Sequence, residues 1–328
     1  MKLRETQIAG TGSYIPSKVL TNFDLEKMVD TSDEWISTRT GIKERRIARE
    51  DEAASDLAYE ASKKALESAN VRAEDLDMIL VATITPDMIF PATACILQDR
   101  LGAKKAAAFD LEAACSGFLY GLSIGSQFIA TGMYDTILVI AAEALSKIVD
   151  WQDRSTCVIF ADGAGAAVLR PSNGESKIIS TYLGADGGGA DLVGVPAGGS
   201  RLPASLETVK NRQHYMKMKG NELFKRAVKI MVQAIEISLE RGKLSPEDID
   251  FFIPHQANIR IINAVVKRIG LSMDKVYINL DRCGNMSAAS IAVALDQAIK
   301  ENRIKRGDRV LFTSFGGGLT WASMVVRF

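Results

Sequence analysis

Glu74-Asp75-Leu76-Asp77 runs into the apolar stretch 78–82, and Glu247-Asp248-Ile249-Asp250 runs into the apolar stretch 251–253. Each is an acidic turn followed by a short run without polar alternation, the pattern of a strand buried on both faces. Upstream of both lies a stretch with helical spacing, residues 55–68 in one case and 221–240 in the other. Downstream the first strand ends at Thr85-Pro86 and the second at Pro254-His255-Gln256. The likeness continues through Arg100-Leu101-Gly102 and Arg268-Ile269-Gly270, each followed by a strand-like run, 106–111 and 276–280. Those strands end in loops holding Cys115 and Asn285, and each loop opens a helical stretch, 117–131 and 287–301, then a strand, 136–141 and 309–315. The chain therefore repeats itself after about 170 residues. Alternating strands and helices predict an α/β fold with a parallel core. Two halves, 1–172 and 173–328, packed about a pseudo-twofold axis would bring equivalent strand ends to one shared site, where ligands of α/β sheets bind. Residues 184–213, rich in Gly, Pro and Ser, read as the loop that joins them.

Composition narrows what such a site could do. The 328 residues carry 40 Lys plus Arg against 40 Asp plus Glu, so no global field favours nucleic acid or an acidic membrane. With 47% hydrophobic residues the chain can bury a substantial core, and disorder is excluded. No stretch approaches about eighteen apolar residues, and Met1 to Gly10 lacks the apolar segment of a signal peptide, so a cytoplasmic protein is expected. Cys95, Cys115, Cys157 and Cys283 are too far apart for a disulfide framework or a zinc site. Only two histidines exist, His214 and His255, which leaves no histidine-built metal cluster and few imidazoles for catalysis.

Cys115, in Glu112-Ala113-Ala114-Cys115-Ser116-Gly117-Phe118, follows a strand and opens a helix. It is either a buried structural thiol or a nucleophile whose pKa the helix N-terminus lowers. His255 sits at a strand end among polar residues able to hold one ring tautomer, and the repeat predicts that it faces Cys115. His214, in a basic loop, has no such support. Asn285, in Cys283-Gly284-Asn285-Met286-Ser287, is a turn or cap residue on its own, and in the repeat it is the partner of the Cys115 loop. Gly316-Gly317-Gly318 ends the last strand, as a tight turn or as bare N–H groups for an oxyanion. Gly163-Ala164-Gly165 lacks the third glycine of a dinucleotide fingerprint and reads as a hairpin joint between two strands; Gly10-Thr11-Gly12, after the first strand, is likewise a GxG with no continuation into such a fingerprint.

Cys115 in Ala-Ala-Cys-Ser-Gly-Phe, His255 in Pro-His-Gln-Ala-Asn and Asn285 in Cys-Gly-Asn-Met-Ser-Ala-Ala-Ser, in this order and spacing, resemble the β-ketoacyl-acyl-carrier-protein synthase III family of the thiolase superfamily. The resemblance covers nearly the whole chain, from Trp35-Ile36-Ser37-Thr38-Arg39-Thr40-Gly41-Ile42 to Phe315-Gly316-Gly317-Gly318-Leu319-Thr320-Trp321. It implies the five-layered thiolase fold, a homodimer, and the condensation that starts fatty acid synthesis. Cys115 would take an acyl group from acyl-CoA, and His255 and Asn285 would stabilise the enolate formed from malonyl-acyl-carrier protein. The backbone N–H groups of Cys115 and Gly317 would form a second oxyanion hole, and neither metal nor organic cofactor is implied. Trp35 and Arg154 would hold the adenine of CoA; Arg39, Gly220, Phe224, Ala257 and Asn258 would line its pantetheine tunnel. Phe90 would cross a dimer interface and close the partner's acyl pocket. Cys283, Met286 and Ala322 depart from the residues common in the family and are expected to reshape the pocket.

Two other readings compete. One keeps the fold for a synthase or acyltransferase of secondary metabolism; the other is a Cys-His-Asn hydrolase, which the internal repeat disfavours. Zero net charge also hides a local excess. Residues 210–229 hold Lys210, Arg212, Lys217, Lys219, Lys225, Arg226 and Lys229 against Glu222 alone. Arg260, Lys267 and Arg268 follow on the next helix. Such a patch, through Lys225, Arg226, Lys229, Arg260 and Lys267, would dock the acidic carrier protein that the resemblance implies.

Overall fold

Leu57, Ala58, Ala61, Ala65 and Leu66 recur at helical spacing in residues 54–69 and are all buried on one face. The computed structural model, which describes residues 3–328, forms a helix there and puts that face against a sheet. In the first half the principal elements are β1 (Thr6–Tyr14), α1 (Asp33–Thr40), α2 (Ala54–Ala69), β2 (Met78–Ala82), α3 (Thr93–Leu101), β3 (Ala107–Leu111), α4 (Gly117–Thr131), β4 (Ile137–Ala144) and β5 (Asp162–Pro171). The second half has β6 (Lys177–Ala185), α5 (Gly220–Gly242), β7 (Phe251–Pro254), α6 (Ile259–Ile269), α7 (Ala289–Lys300), β8 (Arg309–Gly316) and β9 (Thr320–Arg327).

The sheets run β1-β5-β4-β2-β3 and β7-β8-β9-β6. As expected, β2 pairs in parallel with β3 and β4, and β7 with β8. Beyond that parallel core the pairing is antiparallel. The cause at β8 and β9 is the connection: residues 317–319 are too few for a parallel crossover and long enough only for a hairpin.

Helices α4 and α7 lie between the two sheets, α2 and α3 cover the outer face of the first, and α5 and α6 cover the second. The layers are thus helix, sheet, helix, sheet, helix, the five-layered order that the resemblance implies. Burial follows this placement. α4 carries no charged side chain because both flanks face a sheet, whereas α5 buries only Ala227, Val228, Met231 and their helical repeats.

Glycines let the layers approach. A Cβ on Gly165 would stand 2.5 Å from the Ala292 Cβ of α7, and one on Gly12 would stand 2.3 Å from the Ala65 nitrogen of α2. Gly163-Ala164-Gly165 and Gly10-Thr11-Gly12 are therefore strand interior in β5 and β1, where a hairpin joint and a stretch beyond the first strand were expected; helix packing, rather than a bend, demands them.

Two other expectations are corrected. The run 276–280 forms no strand, only a single parallel bridge from Val276 to Phe252. The Gln256 side chain replaces the ladder: its Nε2 donates to Pro254 O (2.8 Å) and Tyr277 O (3.1 Å), and its Oε1 accepts from Asn279 N (3.2 Å). Residues 184–213 do not join the halves, because β6 already belongs to the second sheet and the chain changes sheets across 172–176. That Gly-rich segment is an insertion between β6 and α5. Among the described residues no helix is long and apolar enough to cross a membrane, and no cluster of His, Cys, Asp or Glu could hold a metal ion.

Gly165→Ala should overpack the contact with α7 and lower stability by about 1–3 kcal/mol in urea unfolding. An unchanged midpoint would show that the central helix can shift at no cost.

Candidate active site

Cys115 lies in a single 3-10 turn, residues 114–116, between β3 and α4. Ala114 before it adopts φ 44°, a left-handed conformation uncommon for a residue with a side chain. The end of β8 comes down on this turn. A Cβ on Gly316 would stand 2.6 Å from the Cys115 nitrogen, so only glycine permits the approach. Side chains stitch the same seam: Ser314 Oγ donates to Ser116 Oγ (3.0 Å), and Thr320 Oγ1 donates to Ala113 O (2.6 Å).

His255 follows β7 directly, and its backbone N–H donates to Thr313 O on β8 (2.8 Å). Asn285 is held by backbone pairing with the first half, its N–H to Ile159 O (3.0 Å) and its carbonyl from Ala161 N (2.9 Å). Its Oδ1 accepts from Ser287 N (2.9 Å), so the side chain can present only its amino group to the cavity. Cys115, His255 and Asn285 line one cavity of about 1600 Å³, together with Ser287 and Gly317. The repeat predicted this convergence, and the two halves supply it.

The electrostatics differ from expectation. Cys115 keeps some open surface, yet burial pushes its thiol up to about 12, with the Glu143 carboxylate adding to the rise and the Ser287 hydroxyl opposing it. Desolvation outweighs the helix N-terminus that was expected to lower it. Burial also lowers His255 to about 4, so the imidazole is neutral at pH 7. Neither ring nitrogen has a hydrogen-bond partner among the described residues. The expected tautomer-fixing neighbour, Gln256, is occupied with Pro254 and Tyr277. A neutral ring of this kind can donate one N–H to a ligand oxygen.

Trp35, Arg39, Gly220, Phe224, Ala257 and Asn258 line the outer part of the same cavity. Asn258 caps α6 through Arg260 N (2.8 Å) and donates from Nδ2 to Arg39 O (3.0 Å), tying α6 to α1. Arg154 lies outside the wall; its guanidinium covers the Trp35 ring at 4.9 Å, with Arg39 over the same ring at 5.0 Å. The slot expected between Trp35 and Arg154 is thus closed by their own stacking. Phe90 is 83% exposed, and it does not line this chain's cavity.

Of the basic residues, Lys225 and Arg260 stand at the cavity wall, while Lys229 and Lys267 are exposed outside it. Arg226 is drawn to Asp186 (3.7 Å), Lys219 to Asp191 (2.6 Å), and Arg212 and Lys217 to the buried Asp150. The excess seen in the linear sequence is therefore partly neutralised. Cys283, Met286 and Ala322 are buried in the core and do not line the cavity, against the expectation that they reshape it. Met286 instead packs its sulfur beneath Gly163.

Sequence reasoning missed three residues here. Ser287, at φ 48°, lines the cavity beside Asn285. Glu143 is a lone acid in the otherwise apolar strand β4, a signal that was available. Arg45 is fully buried and braces the segment before β5 that holds Asn285, donating to Val158 O (2.8 Å) and Asn22 Oδ1 (2.9 Å); nothing in its local sequence marks it. In a His214→Asn variant, nuclear magnetic resonance of the remaining imidazole should show it neutral from about pH 6 upward. A midpoint near the ordinary value of about 6.5 would contradict the dry environment.

Profiles of the 3-oxoacyl-[acyl-carrier-protein] synthase III family match residues 109–187, and those of its C-terminal part match residues 239–328. A β-ketoacyl-[acyl-carrier-protein] synthase III of Caldanaerobacter subterraneus subsp. tengcongensis is 63% identical over 321 residues, 98% of this chain and 97% of that protein. One from Natranaerobius thermophilus is 57% identical over 329 residues, covering 99% of this chain and all of that protein. The crystal structure of 3-oxoacyl-[acyl-carrier-protein] synthase III from Aquifex aeolicus VF5 superposes with a TM-score of 0.91 at 50% identity, covering 98% of this chain and 100% of that one. With its duplicated five-layered fold, this chain belongs to the β-ketoacyl-acyl-carrier-protein synthase III family, the condensing acyltransferases that initiate fatty acid biosynthesis.

Proposed function

We propose that Cys115 is the nucleophile, that His255 and Asn285 hold the developing enolate, and that the substrates are an acyl-CoA, with acetyl-CoA the expected primer, and malonyl-acyl-carrier protein. The convergence of a thiol, a neutral imidazole and an amide amino group on one cavity carries this reading. The thiol attacks the acyl-CoA carbonyl and releases CoA. The malonyl carboxylate then leaves as CO2, and its bonding pair becomes the enolate that attacks the acyl-cysteine. Charge collects on the malonyl thioester oxygen, where one imidazole N–H and one amide N–H would donate. A protonated imidazole is unnecessary, and burial disfavours it. The backbone N–H groups of Cys115 and Gly317 would receive the oxygen of the acyl-enzyme carbonyl; the close approach that Gly316 allows supports this. Decarboxylation itself supplies the carbanion, so the reaction calls for no organic cofactor or metal.

The CoA chain would enter past Phe224 and Asn258, with Gly220, Ala257 and Arg39 along its path. Its adenine would stack on Trp35 once Arg154 swings off the ring. The exposed run Met88, Ile89 and Phe90 supports a homodimer in which Phe90 reaches a partner's acyl pocket. We place the boundary of the halves at 1–172 and 173–328, and the protein in the cytoplasm. Lys225 and Arg260 would steer the carrier protein to the mouth, with Lys229 and Lys267 beside them and Arg226 contributing less because Asp186 holds it.

Supplied with acetyl-CoA and malonyl-acyl-carrier protein, the enzyme should release CoA and CO2 and form acetoacetyl-carrier protein. No product from any short acyl-CoA would reject the reading in favour of a same-fold synthase with other substrates. Asn285→Ala should still acylate Cys115 but slow condensation by about 10²–10³-fold; equal loss of both steps would contradict its role. Reversing the charge of Lys225 and Arg260 should raise KM for malonyl-carrier at low salt, an effect that salt erases. An unchanged KM would make the patch ordinary surface.

A further inference from the structure

One buried ionisable group beside the nucleophile has no part in the chemistry above. Glu143 stands fully buried near the end of β4, on a strand whose other side chains are apolar. Its Oε2 is held by three donors from the end of β2: Thr83 Oγ1 (3.3 Å), Ile84 N (3.1 Å) and Thr85 Oγ1 (2.8 Å). Its Oε1 is buried without a partner, and so are the Ser287 hydroxyl and both His255 nitrogens. A set of neighbouring buried polar atoms left open in this way is costly unless ligand or proton traffic uses it. Ser287 joins the set: its hydroxyl stands near enough to Cys115 and to Glu143 to favour the ionised form of each, without closing a hydrogen bond to either.

We propose that Glu143, acting through the Ser287 hydroxyl, is the proton-holding group of this site, taking the Cys115 proton during acylation and returning it during condensation. The inference rests on Cys115 being the nucleophile. In the first step the sulfur bonds to the acyl carbon, its proton passes to Ser287, and the hydroxyl proton of Ser287 passes to the Glu143 carboxylate. The departing CoA thiolate takes a proton from water. In the second step the enolate expels the Cys115 sulfur with its bonding pair; Ser287 protonates the thiolate, and the carboxylic acid of Glu143 restores Ser287. Glu143 ends the cycle as it began, and the single proton consumed overall is the one carried off by CoA.

Charge and burial support this division of labour. Desolvation raises Glu143 to about 7, against the opposing hydrogen bonds of Thr85, Ile84 and Thr83 and the nearby Ser287 hydroxyl, so both protonation states are accessible near neutral pH. Burial acts on His255 in the opposite sense, lowering it to about 4, so the imidazole is the weaker base of the two. Other charges packed near β4 face away. Asp162 on β5 accepts from Ser146 and Ala48, and Asp296 on α7 bonds Thr11, Ser13 and Lys300. Across the site, the Glu143 carboxylate raises the Cys115 thiol.

Single-turnover labelling of the full protein by radiolabelled acetyl-CoA between about pH 5.5 and 8.5 tests the relay. In the native protein the acylation rate should rise with pH through about 7, because the carboxylate must be ionised to accept the proton. Glu143→Gln should slow labelling about 10–100-fold and abolish that limb, Ser287→Ala should do the same, and Glu143→Asp should restore a limb. A Glu143→Gln protein that keeps the native pH limb, whatever its rate, overturns the relay, as does a Ser287→Ala protein with a native profile. Absence of label on Cys115 in the native protein would instead reject the nucleophile, and the relay with it.

Discussion

Everything in this molecule depends on how closely the end of β8 approaches the turn that carries Cys115. The Gly316 backbone leaves no room for a methyl group beside the Cys115 nitrogen, and the contact joins β8 of the second half to the turn that opens the central helix of the first. Both halves must close fully for the cavity to exist. Asn285 is fixed by the same closure, through backbone bonds to residues 159 and 161, while His255 is carried on the second half by its bond to Thr313 on β8. The glycines of β1 and β5 serve the closure indirectly, since they let α2 and α7 pack tightly enough to fix the sheets.

The same closure buries the reacting groups. In water a thiol and an imidazole differ by only about two units of pKa, and their roles as acid and base would be easily exchanged. Here burial drives them apart, the thiol up and the imidazole down. The imidazole stays neutral, and in the proposed reaction it would serve as a hydrogen-bond donor rather than a base. Fixed donors in a water-poor cavity stabilise developing charge far better than the same groups would in solvent. The cost is that a neutral thiol must shed a proton, which gives the carboxyl of Glu143 its significance.

Much of this was legible from the sequence because the internal repeat converts a one-dimensional pattern into a contact. Residues 78–82 formed β2 as read, and 117–131 formed α4 as read, since apolar periodicity alone decides those elements. The repeat also indicated that the Cys115, His255 and Asn285 loops meet, which no single motif could do. What escaped were properties set by tertiary burial. The run 276–280 is as apolar as a strand, but the Gln256 side chain satisfies its backbone instead. The helix N-terminus at Cys115 suggested a lowered pKa, and only the packed structure reveals that desolvation wins. Arg226 and Arg212 looked like free charge until the fold brought Asp186 and Asp150 to them. Arg45 left no trace in the pattern, because its partners Asn22 and Val158 lie far away along the chain.

The central claim is that one thiol, built into the seam between the halves, carries the acyl group. Peptide mass spectrometry of the protein after exposure to acetyl-CoA tests it directly. A single acetyl group on the peptide containing Cys115, lost when malonyl-acyl-carrier protein is added, is the predicted result. An acetyl group on Cys95, Cys157 or Cys283, or one that persists on Cys115 after malonyl-carrier is supplied, would contradict the account.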